Sequence, residues 1–223
     1  PGPGTRGRKT NTAVTQTDNT RHTILMTAMA MFAKEGVEAV TLRSINAEAG
    51  SGNTGAVHYY FRNKDGLVQA IIDFLDENVW KPAVIELNGE LKTDPDLWHL
   101  LFAGLWPRKR ILFDYPWGVD AQTFSFELVT GSSEEYRQSF RKVIQPHNDL
   151  LRISLRKLLP NLSEQIFMLR WRFLVIEATV GDWGRTKMQR VVEEPNWCPE
   201  SERLYVERYV DFATGGFSAP PVH

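Results

Sequence analysis

Asn53, Thr54, Gly55, His58 and Tyr59 fall within one short stretch, residues 41–61 (TLRSINAEAGSGNTGAVHYYF). The chemistry these residue types offer is hydrogen bonding to a surface. None of them stands in a nucleophile–base spacing. The stretch reads as two short helices around a glycine turn. Thr41 can cap the first, 42–49, because its hydroxyl accepts from an orphan N–H of the first turn. Leu42, Ile45 and Ala49 give that helix a small apolar face. Gly50 stands where a helix commonly ends in a left-handed residue. Asn53 or Thr54 can cap the second helix, 54–60, with Ala56, Val57 and Tyr60 turned inward. The five polar or small residues are then left at its start and on its outer surface. A helix, a glycine-containing turn and a second helix that begins with small, hydrogen-bonding residues are the sequence form of a helix-turn-helix. Its second helix enters the major groove of DNA.

The elements that must position this pair follow from periodicity. Ile24, Ala28 and Phe32 repeat every four residues along a helix at 18–35, which Gly36 stops. A longer helix begins near Asn63 and runs to about Trp80, its buried stripe formed by Leu67, Ile71, Phe74 and Leu75. Pro82 is expected to kink or end it. Further on, apolar and aromatic helices are expected at 96–105, 120–130, 133–160, 163–185 and 200–214. Pro107 is expected to break the first of these, leaving Arg108, Lys109 and Arg110 in a solvated loop. Pro146 is expected to bend the third. The helix at 163–185 is apolar nearly all round, so a partner subunit is its natural cover. The fold class expected is therefore all-α, an N-terminal three-helix helix-turn-helix DNA-binding domain joined to a larger helical ligand-binding and dimerisation domain. Its parts are a disordered basic arm at 1–17, the helix-turn-helix domain at 18–64, a connecting helix at 65–81 and an effector and dimerisation domain at 82–223.

Composition narrows the class. The chain has 223 residues, 42 % hydrophobic and 24 % charged, which is ordinary for a soluble globular protein. No run of about eighteen uncharged apolar residues exists, so no membrane partner is expected. The start, PGPGTRGRK, has no apolar core of a secretory signal. The single Cys198 rules out an internal disulfide and fits a reducing cytoplasm. Residues 1–64 carry eight Lys and Arg against four Asp and Glu, and the remainder carries 18 against 23. A basic front on an acidic body suits a protein of which only the front meets phosphate. No HxxxH, CxxC or HExxH spacing, phosphate loop or nucleophile motif occurs, so neither metal nor cofactor nor enzyme activity is expected.

Residues 20–75 resemble the DNA-binding region of the tetracycline-repressor (TetR) family of bacterial transcription regulators. The matching pieces are ILMTAMAMFAKEGVEAVTLRSI, INAEAG and NTGAVHYYFRNKDGL. They combine a Phe-Ala helix end before a glycine, Thr-Leu-Arg opening the next helix and Ala-Gly closing it. Tyr-Tyr-Phe then ends the recognition helix, and Lys-Asp-Gly-Leu opens the fourth. The resemblance covers about a quarter of the chain. In one respect the sequence departs from the family's pattern: the turn at Ser51-Gly52-Asn53 is a residue longer. The last two helices resemble the pair that family members use for a four-helix dimer interface. The resemblance implies a homodimeric, ligand-responsive repressor that binds a pseudo-palindromic operator in double-stranded DNA and is released by a small apolar or aromatic effector. Alternatives are an activator or protein-responsive regulator of the same fold, or an enzyme built on the helical body.

On that frame Thr41, Arg43, Tyr60 and Lys64 are the expected phosphate contacts, with Thr41 and Lys64 at helix N-termini. Asn53, Thr54 and His58 are the candidate base readers, Gly55 and Ala56 let the backbone come close, and Tyr59 either joins the DNA surface or packs. Tyr60 can serve phosphate or packing, and Arg43 can instead reach a guanine. In the body, Trp98, Phe102, Trp106, Phe124 and Trp171 either fill the core or line an effector pocket; Phe113, Trp117, Phe126 and Trp183 belong to the same aromatic set. Glu177 is either paired or orients a ligand. Phe173, Ile176, Val180, Tyr205, Tyr209 and Phe212 are the expected dimer-interface residues.

Overall fold

The computed structural model of the chain describes residues 10–50, 55–192 and 202–220; of residues 10–18, 180, 182–192 and 202 it gives the backbone alone. Among the described residues the chain is all-α, and no strand forms. The helices are α1 (Thr10–Glu35), α2 (Leu42–Glu48), α3 (Ala56–Phe61), α4 (Lys64–Leu75), α5 (Lys81–Glu90), α6 (Leu97–Asp114), α7 (Gly118–Thr130), α8 (Glu134–Leu158), α9 (Glu164–Val192) and α10 (Glu202–Ser218).

Each boundary has a local cause. α1 begins at Thr10, eight residues before the expected start. TNTAVTQT holds neither Pro nor Gly, so nothing in it interrupts the helix ladder. Residues 1–9 of the expected arm lie outside the described residues. Thr41 caps α2 as expected, accepting from the Ser44 N–H at 3.1 Å, and Ser44 returns the bond to the Thr41 N–H. Gly50 ends that helix with φ +63°. Asn63 caps α4 by accepting from the Gly66 N–H at 2.8 Å. Gly66 also lets the turn close tightly, since a Cβ there would stand 2.1 Å from the Phe61 carbonyl oxygen. Ser133 caps α8 by accepting from the Tyr136 N–H.

Pro107 acts less strongly than local rules predict. Pro82 falls in the first turn of α5. α4 instead passes into a π-helical turn, Asp76–Trp80, and the helical rod continues to Glu90. Pro107 does not break the helix at 105: α6 runs through it to Asp114. The expected solvated loop at 108–110 is therefore corrected to helix. Pro107 and Lys109 are buried, Arg110 pairs with Glu86 of α5, and Arg108 reaches the interior. Burial of Leu105 and Ile111 around the proline offsets the one lost backbone bond. α8 likewise runs through Pro146.

Two apolar clusters hold the helices. The first joins the front to the body. Ile24, Ala28 and Phe32 of α1 and Leu67, Ile71 and Leu75 of α4 pack with Phe124 and Leu128 of α7 and Phe140 of α8. The second binds α5, α6 and α8 to α9 and α10 through Leu87, Leu101, Leu105, Leu155, Phe167 and Val210.

Candidate nucleic-acid interface and the cavity behind it

The turn between α2 and α3 contains residues 51–54, so the expectations for Asn53 and Thr54, and the extra residue at Ser51-Gly52-Asn53, lie outside the described residues. The flanks of the turn are set by burial. Ala56, Val57 and Phe61 bury one face of α3 in the first cluster. His58 and Tyr59 are left outside, Tyr59 at 77 % exposure. Tyr60 is half-buried beside Phe61 and edge-on to Tyr59 at 4.9 Å. Thr41 and Arg43 are exposed at the start of α2.

Gly55, at the N-cap of α3, has no side chain to hold the free N–H groups of the first turn. Asn46 of α2 supplies the missing acceptor: its Oδ1 takes the Val57 N–H at 3.3 Å inside the core. Sequence reasoning missed this residue. Its signal was the spacing of four from Leu42, which puts an amide on the inward face.

His58 also has a defined role for its ring. Nδ1 lies 2.5 Å from the Arg62 carbonyl oxygen. A carbonyl only accepts, so Nδ1 carries the proton, and Nε2 of the neutral ring is left as an acceptor. Lys64 donates from Nζ to the Glu38 carbonyl at 3.1 Å, which ties the start of α4 to the loop before α2. Thr41, Arg43, His58, Tyr59 and Lys64 thus come from the α2–α3 region and the start of α4, around a base that Asn46 fixes.

Within the first cluster and at its edge, three contacts tie the front to the body. Phe32 stacks on Phe124 at 6.1 Å, Phe74 meets Trp117 edge-on at 5.0 Å, and Tyr136 Oη donates to Asp65 Oδ1 at 2.5 Å. Burial first, and the Asp65 carboxylate second, push the Tyr136 hydroxyl well above the usual phenol range.

Behind α4 lies a cavity of about 170 Å³. Val79 and Trp80 of the π-helical turn, Arg108 and Ile111 of α6, and Phe126 and Asn148 are among its walls. Of the expected pocket residues, Phe124 is instead fully buried against α1. Trp98, Phe102 and Trp106 form a stacked ladder on α6 with ring separations of 5.2 and 5.7 Å. Arg203 of α10 lies over two of its rings, and Trp98 Nε1 donates to Asp211 at 2.8 Å. Trp171 is half-buried at the edge of the second cluster. The side chain of Trp183 lies outside the described residues. Beside the cavity, His147 is 1 % exposed with its ring 5.7 Å from that of Trp80. Burial, and then the neighbouring Arg108 charge, push its imidazole down to about 4.

The outer face of α9 and α10 is apolar and open in the single chain. Phe173 is 61 % exposed, Ile176 52 % and Phe212 78 %. Phe173 and Phe212 border a groove of about 650 Å³ that also holds Glu177, Tyr205 and Tyr209. Arg170, which also lines this groove, donates to the carbonyls of Phe217 and Ala219 at the end of α10, both at 2.7 Å. The side chain of Val180, and Cys198, lie outside the described residues. Among the described residues no helix is long and apolar enough to cross a membrane, and no three His, Cys, Asp or Glu side chains gather to hold a metal.

Residues 24–71 match the family model of bacterial regulatory proteins, tetR family. No curated protein matches the chain. Solved structures similar in fold include three that follow. One is the TetR family transcriptional regulator PfmR from Thermus thermophilus, with TM-score 0.61, 16 % identity, and 86 % of this chain and 93 % of that one covered. Another is the ketosteroid transcriptional regulator KstR2 of Mycobacterium tuberculosis, with TM-score 0.56, 20 % identity, and 88 % and 93 % covered. The third is a gamma-butyrolactone receptor, an ArpA-like protein, with TM-score 0.54, 18 % identity, and 89 % and 98 % covered.

Proposed function

We propose that this chain, of which residues 24–71 match the family model of bacterial regulatory proteins, tetR family, is a homodimeric repressor that binds a pseudo-palindromic operator and leaves it when a small effector enters the body. The observation that carries the DNA half is the α2–α3 pair. Its second helix buries Ala56, Val57 and Phe61 and turns His58 and Tyr59 outward. Thr41, Arg43 and Lys64 supply phosphate contacts that set register, with Lys64 adding charge from the position where it also bonds Glu38. His58, and Asn53 and Thr54 ahead of it, read base edges. Tyr59 joins that surface, Tyr60 divides between packing and phosphate, and Gly55 lets the backbone approach.

A helix of this length reads few base pairs, so two copies are needed, spaced about 34–36 Å apart to meet successive major grooves. The open face of Phe173, Ile176 and Phe212, bordered by Tyr205 and Tyr209, supports pairing of α9 and α10 with their counterparts in a second subunit. Val180 belongs to the same proposed interface. In this reading residues 18–64 form the DNA-binding unit, 65–81 the connection and 82–223 the effector and dimerisation unit.

The effector half rests on the cavity behind α4. A ligand there touches Val79 and Trp80 on the same helical rod that begins at Lys64 beside the DNA face. It loosens DNA only through its different affinity for the two positions of that rod. About 3 kcal/mol of difference gives on the order of a hundredfold.

The test is selection from random double-stranded DNA by the purified chain. Enrichment of a two-fold symmetric site, bound with an affinity that falls steeply with salt, supports the reading. An unenriched pool overturns it.

A further inference from the structure

We propose that the π-helical turn Asp76–Trp80 is the joint through which the cavity acts on the DNA face, and that the ion pair of Asp76 with Lys81 holds the joint in register. The proposal deepens the effector reading above and rests on it for its regulatory meaning.

The sequence calls for such a joint. Leu67, Ile71, Leu75, Val79, Ala83 and Leu87 are all buried, each four residues after the last. Four residues overshoot one α-helical turn by about 40°, so five such steps carry the stripe roughly 200° round the rod. A wider turn takes up part of that drift and keeps both ends of the stripe inside. Pro82 sets where the wider turn falls. It has no N–H, and in a regular helix its ring presses on the carbonyl four residues back, that of Asn78. Just ahead of the proline, the Lys81 N–H reaches past Glu77 and bonds the Asp76 carbonyl, five residues back.

The side chains record the same register. In an α-helix, residues three and four apart are neighbours on the surface, and those five apart are not. Lys81 Nζ bonds Glu77, four residues back, and also lies 3.4 Å from Asp76 Oδ2, five residues back. The pair with Glu77 suits either register. The pair with Asp76 suits the π register alone.

The turn stands between the two packed units. Val79 and Trp80 belong to the first cluster with α4, and Leu87 of α5 belongs to the second. Val79 and Trp80 also line the cavity, while Asp76, Glu77 and Lys81 do not. The Trp80 ring meets Phe140 at 6.3 Å and His147 at 5.7 Å, both edge-on and both on α8. A ligand against Val79 or Trp80 therefore bears on the joint itself. A change of register there re-aims α4, whose first residue, Lys64, stands at the proposed DNA face.

The experiment compares Asp76→Asn with Glu77→Gln in the full chain, each removing one carboxylate charge beside Lys81. Backbone hydrogen exchange is read at the Lys81 amide, and affinity for the selected operator by fluorescence anisotropy. Asp76→Asn should speed exchange at Lys81 and shift operator affinity by about twofold to fivefold, the scale of one exposed ion pair. Glu77→Gln should leave both unchanged. Lys81→Arg, which keeps the pair, should match the unaltered chain. Two carboxylate variants that behave alike, or an Asp76→Asn that moves neither readout, overturn the proposal. Faster exchange with unmoved operator affinity removes the coupling and leaves the repressor reading standing. A pool that yields no operator removes that reading and the coupling with it, while the exchange result still decides whether the pair holds the turn.

Discussion

Asn46 Oδ1 and the Val57 N–H are joined across the two helices of the DNA-binding pair by a buried bond of 3.3 Å. The bond does the work of an N-cap that Gly55 cannot do, and so fixes the recognition helix to its support. Replacing Asn46 by Leu leaves the Val57 donor buried and unpaired. The expected cost is about 1–3 kcal/mol of stability, read as a lower midpoint in urea, together with a clear loss of operator affinity in the folded variant. An unchanged midpoint would mean that water or backbone takes over the bond.

On the proposed DNA surface His58 offers an acceptor, because its Nδ1 proton is spent on Arg62. An acceptor in the major groove pairs with the N6 amino group of adenine or the N4 amino group of cytosine. Selection with the unaltered chain should therefore enrich A or C at the position His58 meets. His58→Lys should redirect that position to guanine, with about 1–3 kcal/mol of discrimination. Enrichment of guanine by the unaltered chain would contradict the tautomer.

Tyr136 and Asp65 link the body to the first turn of α4. Tyr136→Phe removes the donor while keeping the ring. The expected loss is about 1 kcal/mol of stability. Because the link biases the position of α4, the same variant should change the effector concentration that releases the operator. Equal stability and equal response would show the bond to be idle.

The neutral His147 beside Trp80 gives an acid-side signature. Its folded value near 4 lies below the ordinary imidazole value near 6.5. The unfolded chain therefore binds more protons between the two, and stability falls as pH drops from about 6.5 towards 4. The contribution lost is roughly 3 kcal/mol. His147→Phe should flatten the melting temperature over that range relative to the unaltered chain. Parallel curves would contradict it.

On the outer face, Phe212→Asp and Phe173→Asp place charges in the open apolar groove. Sedimentation should then show monomers where the unaltered chain gives dimers, and operator affinity should fall at least tenfold, since each half-site is bound alone. Dimers that persist in both variants would move the interface elsewhere.

The DNA-binding pair was legible in the sequence because its signals are local. Thr41 caps, Gly50 turns left-handed and Asn63 caps again, each acting on backbone no more than three residues away. The body was legible as helices but not as a site. Pro107 pointed to a break, yet burial of its neighbours carried α6 through, and Arg108 came with it to the cavity wall. That outcome depends on α5, α7 and α9, which no local rule contains. The tryptophans of α6, which the sequence leaves open between core and pocket, form a ladder against α10, a pairing set by residues 113 positions apart. Asn46 was overlooked because an amide in a short helix resembles a surface residue until its partner on α3 is placed.

The central claim is that α3 of this chain reads DNA through His58. The direct measurement is a fluorescence-anisotropy titration of the selected symmetric duplex with the unaltered chain and with His58→Ala, each across a series of salt concentrations. The account predicts tight binding with a steep salt slope for the unaltered chain, and the same slope for the variant. In the alanine variant it predicts weaker binding and lost preference at one symmetric pair of base positions. Equal affinity and unchanged preference in the two proteins would contradict it.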